Sequence, residues 1–304
     1  MSEVGHPAEY LPPTSAAIDQ RQNSLRGLRL LIAQRRLYTR AKRWQGVRWG
    51  GLLVLGVGAP FVSLLAPTFA IAAGAMTGVW LFAGRTVLSW LETRTMAKAA
   101  CVQEELDHYL FGMPQTITRA ERITPEEINL LVPNDDVRAI AHREKLIDWY
   151  PIDVASPGAI TIAIAQRANA SYTDRLIRTT VRVWATVTVT WIAILISWGS
   201  LSNIALSDFL LGALFPVLPA FLDVAEYVVN TWKAARDRAD LATTIEERLA
   251  SSSNIDGQDL LVWQERLFDL RRTTPQVPDW LYKVTRRRNE RAMRAAARQL
   301  RSDS

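Results

Sequence analysis

Apolar residues are not spread evenly along this chain; they gather in two long blocks. The first runs from Trp49 to Gly84 without a charged residue. A single bilayer crossing takes roughly 20 residues, so this block is too long for one helix. Ala66-Pro67-Thr68 breaks it near its middle. Two spans are therefore predicted, 49–66 and 68–90, joined by a very short turn. Arg85 falls near the end of the second, where a long side chain can snorkel to the headgroups. The second block begins after Arg182. Its first span is 183–203, a turn follows at Ser207-Asp208, and the return span is 209–232. That span contains Pro216 and Pro219, which are expected to bend it, and two carboxylates, Asp223 and Glu226. The alternative, a buried core of a soluble helical protein, fits poorly with uncharged runs of this length.

The remaining segments show helical rather than alternating periodicity. A helix is expected over 16–48, capped by Ser15 and carrying Leu25, Leu28 and Ile32 on one face. Another continues out of the second span over 92–111. Pro114, Pro125 and Pro133 interrupt the stretch that follows, with a short helix opening at Thr124-Pro125-Glu126. Further helices are expected over 137–149, over 159–182 into the third span, and from the fourth span to about Ala250. After a linker over 251–257, Leu260, Trp263, Leu267 and Leu270 recur at helical spacing. Pro275 and Pro278 end that helix, and a last one is expected over 279–300. The fold class is thus all-α: a polytopic membrane protein with two transmembrane hairpins and a helical cytoplasmic domain. It divides into a cytoplasmic N-terminal helix (1–48), a first hairpin (49–90), a cytoplasmic helical region (91–182), a second hairpin (183–232) and cytoplasmic C-terminal helices with a basic tail (233–304).

Charge sets the orientation. Arg35, Arg36, Arg40, Lys42, Arg43 and Arg48 precede the first span; Arg85, Arg94 and Lys98 close the second. Arg175, Arg178 and Arg182 precede the third, and Lys233, Arg236 and Arg238 follow the fourth. Neither hairpin tip holds a Lys or Arg, so both termini and all soluble helices are expected on the cytoplasmic side. Trp44, Trp49, Trp90, Trp184 and Trp232 fall at the same predicted interface. The net charge is +6, and the single cysteine, Cys101, excludes an intramolecular disulfide. Residues 1–15 lack the basic-then-apolar pattern of a signal peptide, so insertion is expected to be driven by the internal spans.

Candidate chemistry is sparse. The chain has no phosphate-cradling glycine loop, no nucleophile elbow and no HExxH, so no catalysis and no cofactor are expected. His6, His108 and His142 are too scattered for a metal site; Asp107-His108 with Cys101 reads more naturally as packing or solvated surface. Asp223 and Glu226, three apart, share a helix face. Either they line a water-filled path that favours cations, or the span ends near them and they sit wet at the interface. Arg287, Arg291, Arg294, Arg298 and Arg301 form one stripe. It suits the anionic leaflet, a phosphate-bearing ligand, or a plain solvated face. Aromatic residues do not interleave with it, so a nucleic-acid polymer is not an expected partner.

Several polar motifs, taken in order, resemble one family. Arg21-Gln22-Asn23 with AQRRLYTRAKR (Ala33–Arg43), LDHYLFGMP (Leu106–Pro114) ahead of DWYP (Asp148–Pro151), IAQRANASYTDRLIR (Ile164–Arg178) and WQERLFDLRRTTPQVPDWLYKVTRRRNERAM (Trp263–Met293) look like the SMODS-associated four-transmembrane effectors. Only the region 117–134 does not match. The resemblance implies a pore-forming effector of a CBASS-type antiphage system. In such a system a cGAS-like nucleotidyltransferase makes a cyclic oligonucleotide, and the effector permeabilises the inner membrane in abortive infection. Four spans enclose little, so a homo-oligomer in the lipid bilayer is expected. Arg167, Asn169 and Arg175 are candidate messenger contacts, because arginine forks suit phosphate; ordinary pairing within the soluble domain is the competing role. Arg35, Arg271 and Arg272 are weaker candidates. A constitutive channel or small transporter, and a membrane-anchored scaffold for a soluble partner, are the rival functions.

Overall fold

The computed structural model describes residues 10–115, 117–133, 136–201, 205–251 and 255–277. Among them every regular element is a helix. The expected single helix over 16–48 is two. α1 (Ser15–Gln22) is capped by Thr14, whose hydroxyl accepts from the Ala17 N–H, not by Ser15, whose hydroxyl donates to the Ser156 carbonyl at 2.6 Å. The chain then breaks at Asn23-Ser24, because Ser24 accepts from the Gly27 N–H (3.1 Å) and caps a new helix. That helix, α2 (Leu25–Leu65), has 41 residues. At 1.5 Å per residue it is about 60 Å long, so it cannot belong to one environment along its whole length.

Ala66 ends α2, and a single 3₁₀ turn at Pro67–Phe69 leads into α3 (Ala70–Ala83). A π-helical turn at Gly84–Leu88 joins α3 to α4 (Ser89–Phe111). α3 and α4 both pack on α2. Gly51 permits the close approach: a Cβ there would meet the Trp80 ring at 2.0 Å, and Trp80 donates its indole N–H to the Arg48 carbonyl. α5 (Pro125–Leu131) begins as the sequence predicts, with Thr124 as cap and Pro125 at the first position. α6 (Val137–Glu144) is shorter than expected, because Lys145 takes a left-handed conformation that ends it.

α7 (Gly158–Leu201) runs 44 residues without interruption. α8 (Leu206–Phe209) and a π-helical segment at Leu210–Leu214 turn the chain into α9 (Phe215–Ser251), with Pro219 inside it. α7 and α9 pack along each other more extensively than any other pair. α10 (Gly257–Thr273), capped by Asp256, completes the described chain. The expected helix over 279–300, with its arginine stripe at Arg287, Arg291, Arg294, Arg298 and Arg301, lies outside the described residues.

Burial divides the molecule in two. α1, the first half of α2, α4, the start of α7, the C-terminal part of α9 and α10 surround a core that includes Ile18, Ile32, Leu106, Leu110, Ile162, Leu241, Ile245, Leu260 and Leu267. Each such side chain contributes about 1.5–3 kcal/mol on burial. Away from this body, apolar side chains point outward: Ile71 is 87 % exposed and Val189 66 %. Two helical stretches, 71–111 and 158–201, are long and apolar enough to cross a membrane, and little of their apolar window is buried within the protein. Exposed apolar surface on this scale is what a lipid environment, not water, accommodates.

Candidate functional site

Within the body, α10 is the element that ties the others together. Leu260, Trp263, Leu267 and Leu270 face the core as the spacing predicts, but so do Gln264 and Arg271. Arg271 donates to Asp107 of α4 at 2.6 Å, and Gln264 donates to the same carboxylate at 2.9 Å. Asp107 is fully buried. Its other oxygen accepts from the Tyr150 hydroxyl (3.3 Å), which in turn accepts from Asn169 of α7 (2.8 Å). Gln166 of α7 donates to Gln264 and to the Leu260 carbonyl. Arg238 of α9, also buried, donates to the Leu270 carbonyl (2.9 Å) and the Thr274 hydroxyl, covering the C-terminal end of α10. Arg119 grips Glu104 of α4 and Glu265 of α10 from outside and lies 3.9 Å over the Phe268 ring. One helix thus holds α4, α7 and α9.

The electrostatics of this site are unbalanced. Two buried guanidiniums lie near one another: Asp107 pairs with Arg271, and Asp174 is the carboxylate whose charge acts on Arg238. Burial, and after it the neighbouring Arg271 charge, pulls Arg238 down to about 10. Burial pushes the Tyr38 hydroxyl, beside both arginines, up to about 12. The Nη2 of Arg271 is buried without a hydrogen-bond partner. A buried cation left partly uncompensated favours any rearrangement that brings it an anion or water.

The chain beyond α10 carries this network to the base of the apolar helices. The Gln276 carbonyl accepts from Gln45 of α2 (3.0 Å) and from the Tyr227 hydroxyl of α9 (3.3 Å). Tyr227 stacks edge-on against Trp49, and Trp49 lies 5.0 Å from Trp184, so α2, α7 and α9 meet in one aromatic cluster. Arg48 approaches Glu92 at 3.5 Å there, and burial lifts the Glu92 carboxyl above the usual carboxylate range against the pull of Arg48. Trp90 and Trp232, both exposed, each carry an arginine one turn toward the body, Arg94 and Arg236, over or beside the ring. Rings with cations on their body side are the pattern of a membrane interface.

The predicted residues fall as follows. Asp223 and Glu226 do share a face, and both are paired with Arg85, which projects from the π-helical turn. Glu226 neighbours Tyr227 of the aromatic cluster, so these carboxylates lie near the junction of body and apolar helices. Arg167 pairs with Glu246 of α9, and Asn169 joins Tyr150, so these two are held apart in separate contacts. Arg175 lies further along α7. Arg35 bonds the Glu144 carbonyl, and Arg272 pairs with Asp269 on its own helix. Asn169 and the weaker candidate Arg271 are brought together, through Tyr150 and Asp107. Asp107, Arg238, Gln166 and Gln264 were not singled out as functional from sequence. A signal existed for one: Gln264 stands four residues after Leu260, on the apolar face of α10. Cys101 packs against Phe268, and burial pushes its thiol up to about 11. Among the described residues no cluster of His, Cys, Asp and Glu is placed to hold a metal.

Comparison with known proteins agrees with this architecture. No solved structure matches the chain. A curated protein of Bacillus cereus (strain VD146), named a probable CBASS effector molecule, is 22 % identical over 287 residues, covering 90 % of this chain and 95 % of that protein. The model of the SMODS-associating 4TM effector domain matches residues 16–300. With nearly the whole sequence matched, this chain belongs to the SMODS-associating 4TM effector family.

Proposed function

We propose that this protein is the membrane-permeabilising effector of a CBASS-type antiphage system. It crosses the bacterial inner membrane four times, with its helical body and both termini in the cytoplasm. A cyclic oligonucleotide, made by a cGAS-like nucleotidyltransferase partner, binds the body. The bound state favours assembly of several copies whose membrane helices breach the bilayer and abort the infection. No bond is made or broken by the protein itself.

The observation that carries this reading is continuity. α2, α7 and α9 pass from the packed body into exposed apolar segments without a break. α10 clamps α4, α7 and α9 and is linked to the aromatic cluster through Gln276. A ligand that moves α10 therefore acts on the membrane helices, provided it prefers one arrangement over the other. The incomplete balance around Arg271 and Arg238 suits a phosphate-bearing ligand. A contact at Asn169 of α7 would reach Asp107 by way of Tyr150, with Arg167 and Arg175 as further messenger contacts on the same helix.

The test is dye release from liposomes containing the purified protein, with a panel of cyclic di- and trinucleotides. Release is expected with one messenger and not without it. Release that is constitutive, or absent with every messenger including the product of the partner synthase, overturns the reading.

A further inference from the structure

Below the aromatic cluster, between α2, α7 and α9, lies a cavity of about 340 Å³. Trp49 and Gly56 of α2, Thr186, Thr190 and Ile194 of α7 and Val217 of α9 mark its extent. Its volume is that of a small-molecule pocket. From Thr186 to Ile194 it follows α7 for eight residues, about 12 Å.

Its polar features come in a fixed order. Arg182 stands one helical turn on the body side of Thr186, on the same stripe of α7, exposed and without an ion pair among the described residues. Trp49, in the wall, has a buried indole N–H with no acceptor. Orphaned buried donors are rare in folded proteins and ask for a partner. Past these, the walls toward Gly56, Ile194 and Val217 are apolar. Cation, donor and apolar channel follow one another as phosphate, ester carbonyl and acyl chain do in a phospholipid.

We infer that this cavity holds one acyl chain of a phospholipid from the leaflet nearest the body. The phosphate lies at Arg182, and an ester carbonyl accepts from Trp49 Nε1–H. The inference rests on the bilayer reading and gives that reading a regulator. A chain lodged here keeps α2 from closing on α7, while α2 stays packed on α9 through Leu52, Val217 and Ala220, at the depth where the helices must repack to open a pore.

Photoactivatable phospholipid, reactive at mid-chain and used at low ratio in nanodiscs of the full-length protein, tests it. Cross-links mapped by mass spectrometry are expected at 49–56 and 183–194 at about tenfold the level seen at Val79 and Phe82, exposed positions of α3, as one favourable site of about 1.4 kcal/mol would give. Thr186→Trp, which fills the upper cavity, removes the excess. Arg182→Gln, at an exposed position, leaves the fold intact and lowers retention several-fold. Cavity labelling no greater than at Val79 and Phe82, labelling indifferent to both variants, or cross-links to a second copy at these peptides overturns the site while leaving the bilayer reading standing. Absence of label at Val79 and Phe82 as well overturns both.

Discussion

Asp107–Arg271 and Arg85–Asp223 join the same two chemical groups in opposite surroundings. The first pair is in the middle of the body, with side chains 1 % and 5 % exposed. The second lies where the apolar helices meet the body, with Arg85 55 % exposed and a further carboxylate, Glu226, at 3.4 Å. In the body, charge is locked by geometry: Asp107 accepts from Arg271, Gln264 and Tyr150, three partners on α10 and the loop before α7. At the junction, one arginine is shared by two carboxylates one turn apart, and water or lipid headgroups can stand in for either. The buried pair therefore fixes how the helices pack, and the exposed one can exchange partners. An effector that must hold still and then rearrange has use for both.

The comparison is open to breakage, and the largest effect is expected at Asp107. Asp107→Ala leaves Arg271 buried without its carboxylate and is expected to cost about 3–5 kcal/mol. The loss is measured as a fall in thermal midpoint by circular dichroism of the detergent-purified protein, and Arg271→Met in the same chain should recover part of it. A loss below about 1 kcal/mol would mean that the site is wet.

Acid sharpens the same contrast. Burial holds His108, next to Asp107, below the ordinary imidazole range, against the opposing pull of Glu104 and Asp107. Its folded value is thus below its unfolded one, near 6.5. Stability is full above that pH and falls as pH drops toward the folded value, because the unfolded chain takes up the proton first. The slope is less than about 1.4 kcal/mol per pH unit, and His108→Gln should flatten it in pH-resolved melting curves.

At the junction, Arg85→Gln is expected to cost only on the order of 1 kcal/mol, because the carboxylates it leaves have other partners to hand. Its effect should appear in the threshold for messenger-driven dye release rather than in the melting curve. The smallest change is expected at Arg272, exposed, paired with Asp269 on its own helix and 5.8 Å from the Phe268 ring. Arg272→Ala should alter stability by less than about 0.5 kcal/mol. A fall in messenger affinity by calorimetry, without such a change, would assign it to the ligand.

Much of this architecture was legible in the sequence. Uncharged runs longer than a soluble helix tolerates announce the apolar segments, and Pro67 announces the first turn; the second is expected at Ser207-Asp208, but these two residues lie within α8, and the α7 helix ends earlier, at Leu201. Thr124-Pro125 announces α5, because cap and first-turn proline act locally. The break at Asn23-Ser24 was missed, since two short polar side chains that cap a new helix look, in a helical run, like surface positions. The Asp107–Arg271 pair was out of reach: its members are 164 residues apart, and tertiary pairing leaves no period in a sequence. The shared face of Asp223 and Glu226 was legible from their spacing, but Arg85 as their partner was not, because a helix face is set by sequence and its neighbour is not.

The account depends most on which side of a bilayer each part occupies. Single cysteines at Thr68 and Ser207, exposed at the two turns, and at Arg143, exposed on the body, can be probed in intact cells with a membrane-impermeant thiol reagent; the native Cys101 is buried. The account predicts labelling of the two turn positions from outside the inner membrane and of residue 143 only after the cells are opened. Labelling of residue 143 in intact cells, or protection of both turns until lysis, would contradict it.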